Sequence, residues 1–397
     1  MDRFAEYGLR RVINLSSKET AWGASQVPPE IAEAAMSVLP RNVDLAELHR
    51  LASARIAPVV GAEAAFVTGC CAAGIAVSVA GCMTGPDLSR VEQLPDTTGM
   101  KNKVVMQKGH ECHFGARVSQ MIRITGAEVV EVGTSTDCAR FQLDGAIGPD
   151  TAAGVYVISH HTVQVGLLDL AAFAEVCHAR GVPVIVDAAG EYDWPGILKH
   201  ADILCLSAHK TAGGLTAGIV AGSEALVRAA YFQERGIGRP MKTGKEGIVG
   251  AIAAMARWSS LDHEAEAAGV RRKVDRAVEK LSGLRGVTLE KRPDTVGQPV
   301  VRVGIHVDPA EAGLTAFELS RQLGAGDPKI VIYNLHADRG YLLFDVRNVD
   351  DEALDFCCGR IRQIVDAAPA SAPKTHPPAR HDLLLEGMRV WPRPPPR

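Results

Sequence analysis

Short apolar runs and helix-spaced segments alternate along the chain from Ala62 to Gly222. Residues 103–107 (KVVMQ), 127–133 (AEVVEVG), 154–159 (GVYVIS), 182–187 (VPVIVD) and 203–207 (ILCLS) are rich in β-branched residues and too short for helices, so each predicts a strand. Between them, residues 114–125 (FGARVSQMIRIT) and 167–181 (LLDLAAFAEVCHARG) repeat apolar positions at helix spacing, and Gly181 stands where a helix C-cap needs it. Alternation of this kind predicts βαβ units: an α/β fold with a mainly parallel central sheet flanked by helices. Residues 247–284 then read as one long helical stretch suited to joining domains. Beyond it, 300–307, 329–337 and 340–346 read as strands and 350–368 as a helix of a smaller C-terminal α+β domain. The expected organisation is an N-terminal arm (1–20), a large domain (21–265), a small domain (266–368) and a proline-rich tail (369–397), with no internal repeat.

Composition narrows the class. The 397 residues are 47% apolar and 22% charged, enough for a large core, and the net charge of −3 gives no broad attraction to phosphate backbones, so no nucleic-acid partner is expected. Nine cysteines, an odd number scattered over a long chain, fit reduced thiols in a cytoplasm. The start, MDRFAEYGLRRVINLSS, lacks an apolar signal core, and no apolar run reaches the roughly 18 residues of a membrane span. A soluble cytoplasmic protein without membrane contact is expected.

Candidate chemistry gathers where predicted strands end, the edge at which open α/β sheets bind ligands. The run 203–206 delivers Ser207, His209 and Lys210 into a glycine-rich turn, and a lysine at the end of an interior strand must snorkel, pair or react. Asp187 ends another run 23 residues earlier. Residues 67–81 (VTGCCAAGIAVSVAG) read as strand, small-residue turn and helix, whose N-terminus offers free N–H groups to an anion. In 108–116 (KGHECHFGA), His110 follows a third strand. Each has an ordinary alternative: close packing for the turn, a helix N-cap for Asp187, a solvated rim for Lys210, a polar loop for His110. Together they fit pyridoxal phosphate, which needs a lysine for its Schiff base, a carboxylate on the pyridine nitrogen, a helix N-terminus for the phosphate and a flat group on the ring.

Six blocks, RVINLSS, VGAEAAFVTGCCAAGIAV, QKGHECHFGARVSQMIRITGAEVVEVG, PVIVDAAGEYD, LSAHKTAGGLTAGIVAG and GIGRPMKTGKEGIVG, resemble in order the selenocysteine-synthase-like branch of fold-type I pyridoxal-phosphate enzymes. That branch contains amino-sugar-acid ammonia-lyases and tRNA-dependent selenium transferases. The resemblance implies the fold-type I transferase fold, with the large domain binding pyridoxal phosphate. Lys210 would form the Schiff base, Asp187 would pair with the pyridine nitrogen and His110 would stack on the ring. Ser207 and His209, with Thr68, Gly69, Cys70 and Cys71, would surround the phosphate. The two cysteines depart from good donors, so backbone N–H groups must act there. Arg239 and Lys242 would reach a neighbouring subunit's active site, which implies a homodimer or higher homo-oligomer with shared sites. Arg347 is a candidate for holding a substrate carboxylate.

The expected reaction is Cα proton abstraction by Lys210 and β-elimination from an amino acid or amino-sugar acid, giving a 2-oxo acid and ammonia. Racemisation, aldol cleavage, transamination and selenium transfer share the first step and stay open. Selenium transferases carry an additional N-terminal region ahead of the RVINLSS block, where about ten residues stand here. Of other classes, a non-catalytic cofactor-binding protein is one alternative. A zinc hydrolase built from His110, Cys112, His113, His160 and His161 is the other, but without metal-site spacing no metal is expected.

Overall fold

The computed structural model describes residues 6–296 and 298–369. The expected proline-rich tail, apart from Pro369, lies outside the described residues, as does the start of the expected N-terminal arm. The chain divides into two compact units, one of Ser25–Leu261 and the other of the chain before and after it.

β1 (Val12–Leu15) belongs to the second unit; the first is built on seven strands, β2 (Ala64–Thr68), β3 (Lys103–Gln107), β4 (Glu128–Val132), β5 (Thr151–Val157), β6 (Val184–Asp187), β7 (Ile203–Ser207) and β8 (Gly218–Gly222). They form one sheet in the order β2-β8-β7-β6-β5-β3-β4. The β3–β4, β3–β5, β5–β6 and β6–β7 pairs are parallel, and β8 runs antiparallel to both β2 and β7. Every residue of β6, β7 and β8 is buried, as both faces of a helix-covered sheet require of continuous apolar runs. Thr68, Gln107, Val157, Asp187 and Ser207 therefore end side by side on one edge, where Gly218 begins its return between Thr68 and Ser207.

The helix Cys71–Thr84 crosses beneath this edge, and small residues let it lie close. A Cβ on Gly81 would sit 2.6 Å from Ala230 N, in the helix Glu224–Phe232. The helix Leu170–Ala179 closes with Gly181 at φ +66°, as its sequence predicts. The helix predicted over 114–125 is shorter, Val118–Arg123, because Gly115 takes φ +115° and Arg117 is extended. β8 is a further strand inside what reads as a glycine-rich turn. The stretch 247–284 is two helices, Lys245–Ser260 and His263–Leu281. Asp262 starts the second by accepting Ala265 N–H at 2.9 Å.

In the second unit, β9 (Val287–Pro293), β10 (Val301–Val307) and β12 (Tyr341–Phe344) form an antiparallel sheet ordered β12-β10-β9, while β11 (Lys329–Ile332) pairs in parallel with β1. β9 is largely exposed and charge-rich, so its sequence carries no strand signal. The helix Asp351–Asp366 buries Leu354, Cys357, Cys358, Ile361, Ile364 and Val365 in this unit's core. Among the described residues no helix is long and apolar enough to cross a membrane, and all nine cysteines are unpaired.

Candidate active site

Asp187 closes β6 with only 7% of its surface exposed. Its Oδ1 accepts the Cys71 thiol at 3.4 Å and the Ala189 N–H at 3.2 Å. Burial pushes its carboxyl up, against the pull of Lys210, Cys71 and Ala189. Lys210 follows β7 in a turn closed by its own N–H to Ser207 O at 3.2 Å, and it is half-buried without an ion pair among the described residues. A buried carboxyl and a lysine that acts on it electrostatically thus share one sheet edge, at the ends of largely apolar strands.

Ser207 Oγ lies 3.2 Å from His209 Nδ1, and the His209 carbonyl accepts Ser25 Oγ–H. His209 is 7% exposed and its Nε2 is buried with no partner. Burial, then Lys210, lowers its pKa to about 4, so the ring is neutral. A buried ring nitrogen left unpaired beside a helix N-terminus is a place for an anion's oxygen.

At that N-terminus, Cys70 caps the helix, its sulfur accepting Ala73 N–H at 3.5 Å and its carbonyl accepting Gly74 N–H at 3.0 Å. The Gly69 N–H is already given to Met241 O at 2.8 Å. Gly69 therefore shapes the turn, and the N–H groups that the first helical turn leaves over are those of Cys71 and Ala72. Thr68 Oγ1 donates to Cys70 O at 2.9 Å, holding the turn from inside. Gly218 is required beneath it: a Cβ there would lie 2.2 Å from Cys70 O.

His110, 3% exposed, sits after β3. Val157 N–H donates to its Nδ1 at 3.2 Å, which makes Nδ1 an acceptor, and burial lowers its pKa to about 4. Its ring meets Tyr156 edge-on at 4.4 Å. Gln107, the polar end of β3, grips Leu168 through both amide atoms, at 2.8 Å and 3.0 Å, and lies 3.5 Å from His110 Nε2. Gln107 and Tyr156 escape the sequence reading. Gln107 carries the same signal as Asp187, one polar residue closing an apolar run, and so could have been found.

Arg239 and Lys242 are exposed and pull on Glu234 of their own chain, whose carboxyl burial pushes up. Their loop reaches the turn before the helix Cys71–Thr84 through its backbone, at Met241 O. In the second unit, Arg347 is engaged by Asp345, with Nε to Oδ1 at 2.9 Å and Nη2 to Oδ2 at 2.6 Å, and it also donates to Ser17 Oγ at 3.0 Å. Burial alone would raise the Asp345 carboxyl, but Arg347 and Arg302 hold it well below the usual range. Among the described residues no group of three or more His, Cys, Asp or Glu side chains is placed to hold a metal, and His110, Cys112, His113, His160 and His161 form no such cluster.

These parts fit pyridoxal phosphate: an unpaired strand-end lysine, a buried carboxylate, an orphaned His209 Nε2 and free helix N–H groups stand within one edge. No family model matches the chain. It is 34% identical over 366 residues to D-glucosaminate-6-phosphate ammonia lyase of Salmonella typhimurium (strain 14028s / SGSC 2262), covering 92% of this chain and 98% of that one. It is 32% identical over 367 residues to 5'-C-glycyluridine monooxygenase-decarboxylase of a Streptomyces species, covering 91% and 92%. A solved structure of D-glucosaminate-6-phosphate ammonia-lyase superposes with a TM-score of 0.84 at 34% identity, over 93% of this chain and 99% of the other. The chain belongs to the D-glucosaminate-6-phosphate ammonia-lyase family, in the selenocysteine-synthase-like branch of the fold-type I pyridoxal-phosphate enzymes.

Proposed function

We propose that this protein is an ammonia-lyase that converts a 2-amino-3-hydroxy acid of the amino-sugar-acid class to a 2-oxo acid and ammonia. The observation that carries the reading is the meeting of Lys210 and buried Asp187 at one sheet edge, beside the open N–H groups of the helix Cys71–Thr84. Bound pyridoxal phosphate supplies an electron sink conjugated to the substrate Cα. Lys210 Nζ would hold the cofactor and, once displaced by the substrate amine, take the Cα proton. Asp187 would keep a proton on the ring nitrogen, and that proton's charge restores the carboxylate that burial disfavours. The Cys71 and Ala72 N–H groups, Ser207 Oγ and His209 Nε2 would hold the phosphate. His110, a neutral ring packed on Tyr156, would lie against the cofactor as a flat wall and exchange no proton there near neutral pH.

The net change is balanced: the Cα–H and Cβ–O bonds break, water leaves, and hydrolysis of the released enamine returns that water and frees ammonia. The engaged state of Arg347 favours a structural role for it, with carboxylate binding open only if Asp345 shares its guanidinium. We further infer a homodimer or larger assembly in which Arg239 and Lys242 serve a neighbour's site, supported by their exposure and by the loop's backbone anchor on the phosphate turn. The test is a screen of phosphorylated and unphosphorylated 2-amino-3-hydroxy sugar acids, following ammonia and 2-oxo acid together with dissolved oxygen and carbon dioxide. Equal yields of ammonia and 2-oxo acid without oxygen uptake support elimination. Oxygen uptake with carbon dioxide release assigns the chain to the chemistry named in its Streptomyces relative instead.

A further inference from the structure

Cys71 stands at the first position of the helix Cys71–Thr84, just after the N-cap Cys70, whose sulfur accepts the helix's own Ala73 N–H. The Cys71 thiol turns the other way. Sγ lies 3.4 Å from Asp187 Oδ1, a contact between residues 116 apart in sequence, and Cys71 and Asp187 are only 8% and 7% exposed. We propose that Cys71 is a positioning residue for Asp187: its S–H, with the Ala189 N–H, fixes Oδ1 and so turns Oδ2 toward the cofactor's ring nitrogen.

The inference rests on the cofactor-binding role proposed for Asp187. Burial, then the negative charge of Asp187, keeps the thiol pKa well above its ordinary value, so the proton stays on sulfur and the group is a donor. The other groups facing Asp187 cannot replace it. Lys210 supplies charge from the turn after β7, but its nitrogen is needed for chemistry. Cys205, from the neighbouring strand β7, is engaged with Ser78 Oγ at 3.7 Å, and Cys112, from the loop after β3, feels the Asp187 charge but makes no hydrogen bond to it among the described residues. Donation to the ionised carboxyl favours that form, so loss of the S–H raises the Asp187 pKa.

The helix start thus serves two groups at once, its N–H groups toward the phosphate and its first side chain toward the carboxylate. Their spacing along the cofactor is set by one rigid element.

The experiment compares the parent with Cys71→Ser and Cys71→Ala. Apoprotein of each is titrated with pyridoxal phosphate, the protonation of the ring nitrogen is read by NMR with nitrogen-15-labelled cofactor across pH, and kcat is followed over the same range. Cys71→Ala should bind about three- to tenfold more weakly, the scale of one modest hydrogen bond. In that variant the ring nitrogen should lose its proton at lower pH, and the acid limb of kcat should move to higher pH. Cys71→Ser, which keeps a donor, should stay within about twofold of the parent in binding. Equal behaviour of Ala and parent overturns the assignment, and so does equal loss in Ser and Ala, which marks Cys71 as filling space. If the parent itself takes up no cofactor, it is the role of the whole site that fails.

Discussion

Asp187→Asn separates what the site costs from what it does. The change is nearly isosteric, and an amide Oδ1 can still accept the Cys71 thiol and the Ala189 N–H, so the local frame survives. Because burial raises the Asp187 carboxyl, ionising it opposes folding at every pH above the unfolded carboxyl's own value. Removing the charge should therefore leave the apoprotein as stable as the parent or more so at pH 7. Function should move the other way. A neutral ring nitrogen is a poor electron sink, and the loss of a positioned proton relay typically costs about 10²–10⁴ in rate, or roughly 3–5 kcal/mol of barrier. The loss should fall on kcat, with KM nearly unchanged, since the carboxylate acts on the transition state more than on substrate binding. Calorimetry of the apoprotein and steady-state ammonia release on the same preparation give both numbers. A kcat within threefold of the parent, or a marked fall in melting temperature, refutes the reasoning.

Four further outcomes are expected. His110→Phe should keep the cofactor nearly as well as the parent while His110→Ala holds it about two- to tenfold less tightly, the scale of one ring contact, as equilibrium dialysis would show; the reverse order excludes stacking. The Phe variant should also keep the parent's kcat profile between pH 6 and 8, because a His110 pKa of about 4 leaves nothing to titrate there. Gly218→Ala pushes a Cβ to 2.2 Å from Cys70 O and 2.4 Å from Thr68 Oγ1, so denaturant unfolding should show about 1–3 kcal/mol less stability and cofactor titration a weakened phosphate site; parent-like values in both measurements contradict the crowding of this turn. Mixing inactive Lys210→Ala and Arg239→Ala proteins under subunit exchange should restore up to about half the activity per dimer by symmetry, whereas no recovery despite verified exchange rules out a composite site.

What the chain revealed before folding was the polar residue that closes a buried run. Asp187, Ser207 and Lys210 are visible because an apolar strand that ends in a charge or hydroxyl leaves little else for that residue to do. Gln107 has the same mark. The Cys71 contact with Asp187 was not legible, since it depends on how closely a helix of small residues lies over β6 and β7. A Cβ on Gly74 would already meet Cys205 Sγ of β7 at 3.6 Å and Val220 Cγ2 of β8 at 3.1 Å. Nor does any local pattern show that the Gly69 N–H is taken by Met241, a partner 172 residues away. Arg347 shows a different difficulty: a lone arginine suggests a ligand, and only the fold shows that Asp345, two positions earlier, engages its guanidinium. β8 and β9 were hidden for different reasons, one by its bounding glycines and the other by the charges of an edge strand.

Lys210 is expected to carry the cofactor. Apoprotein incubated with pyridoxal phosphate, reduced with borohydride and digested should yield one modified peptide, with the added mass on Lys210. Lys210→Ala should yield none at that site and release no ammonia. A stable adduct mapped to another lysine in the parent, or no adduct at saturating cofactor, would contradict this role.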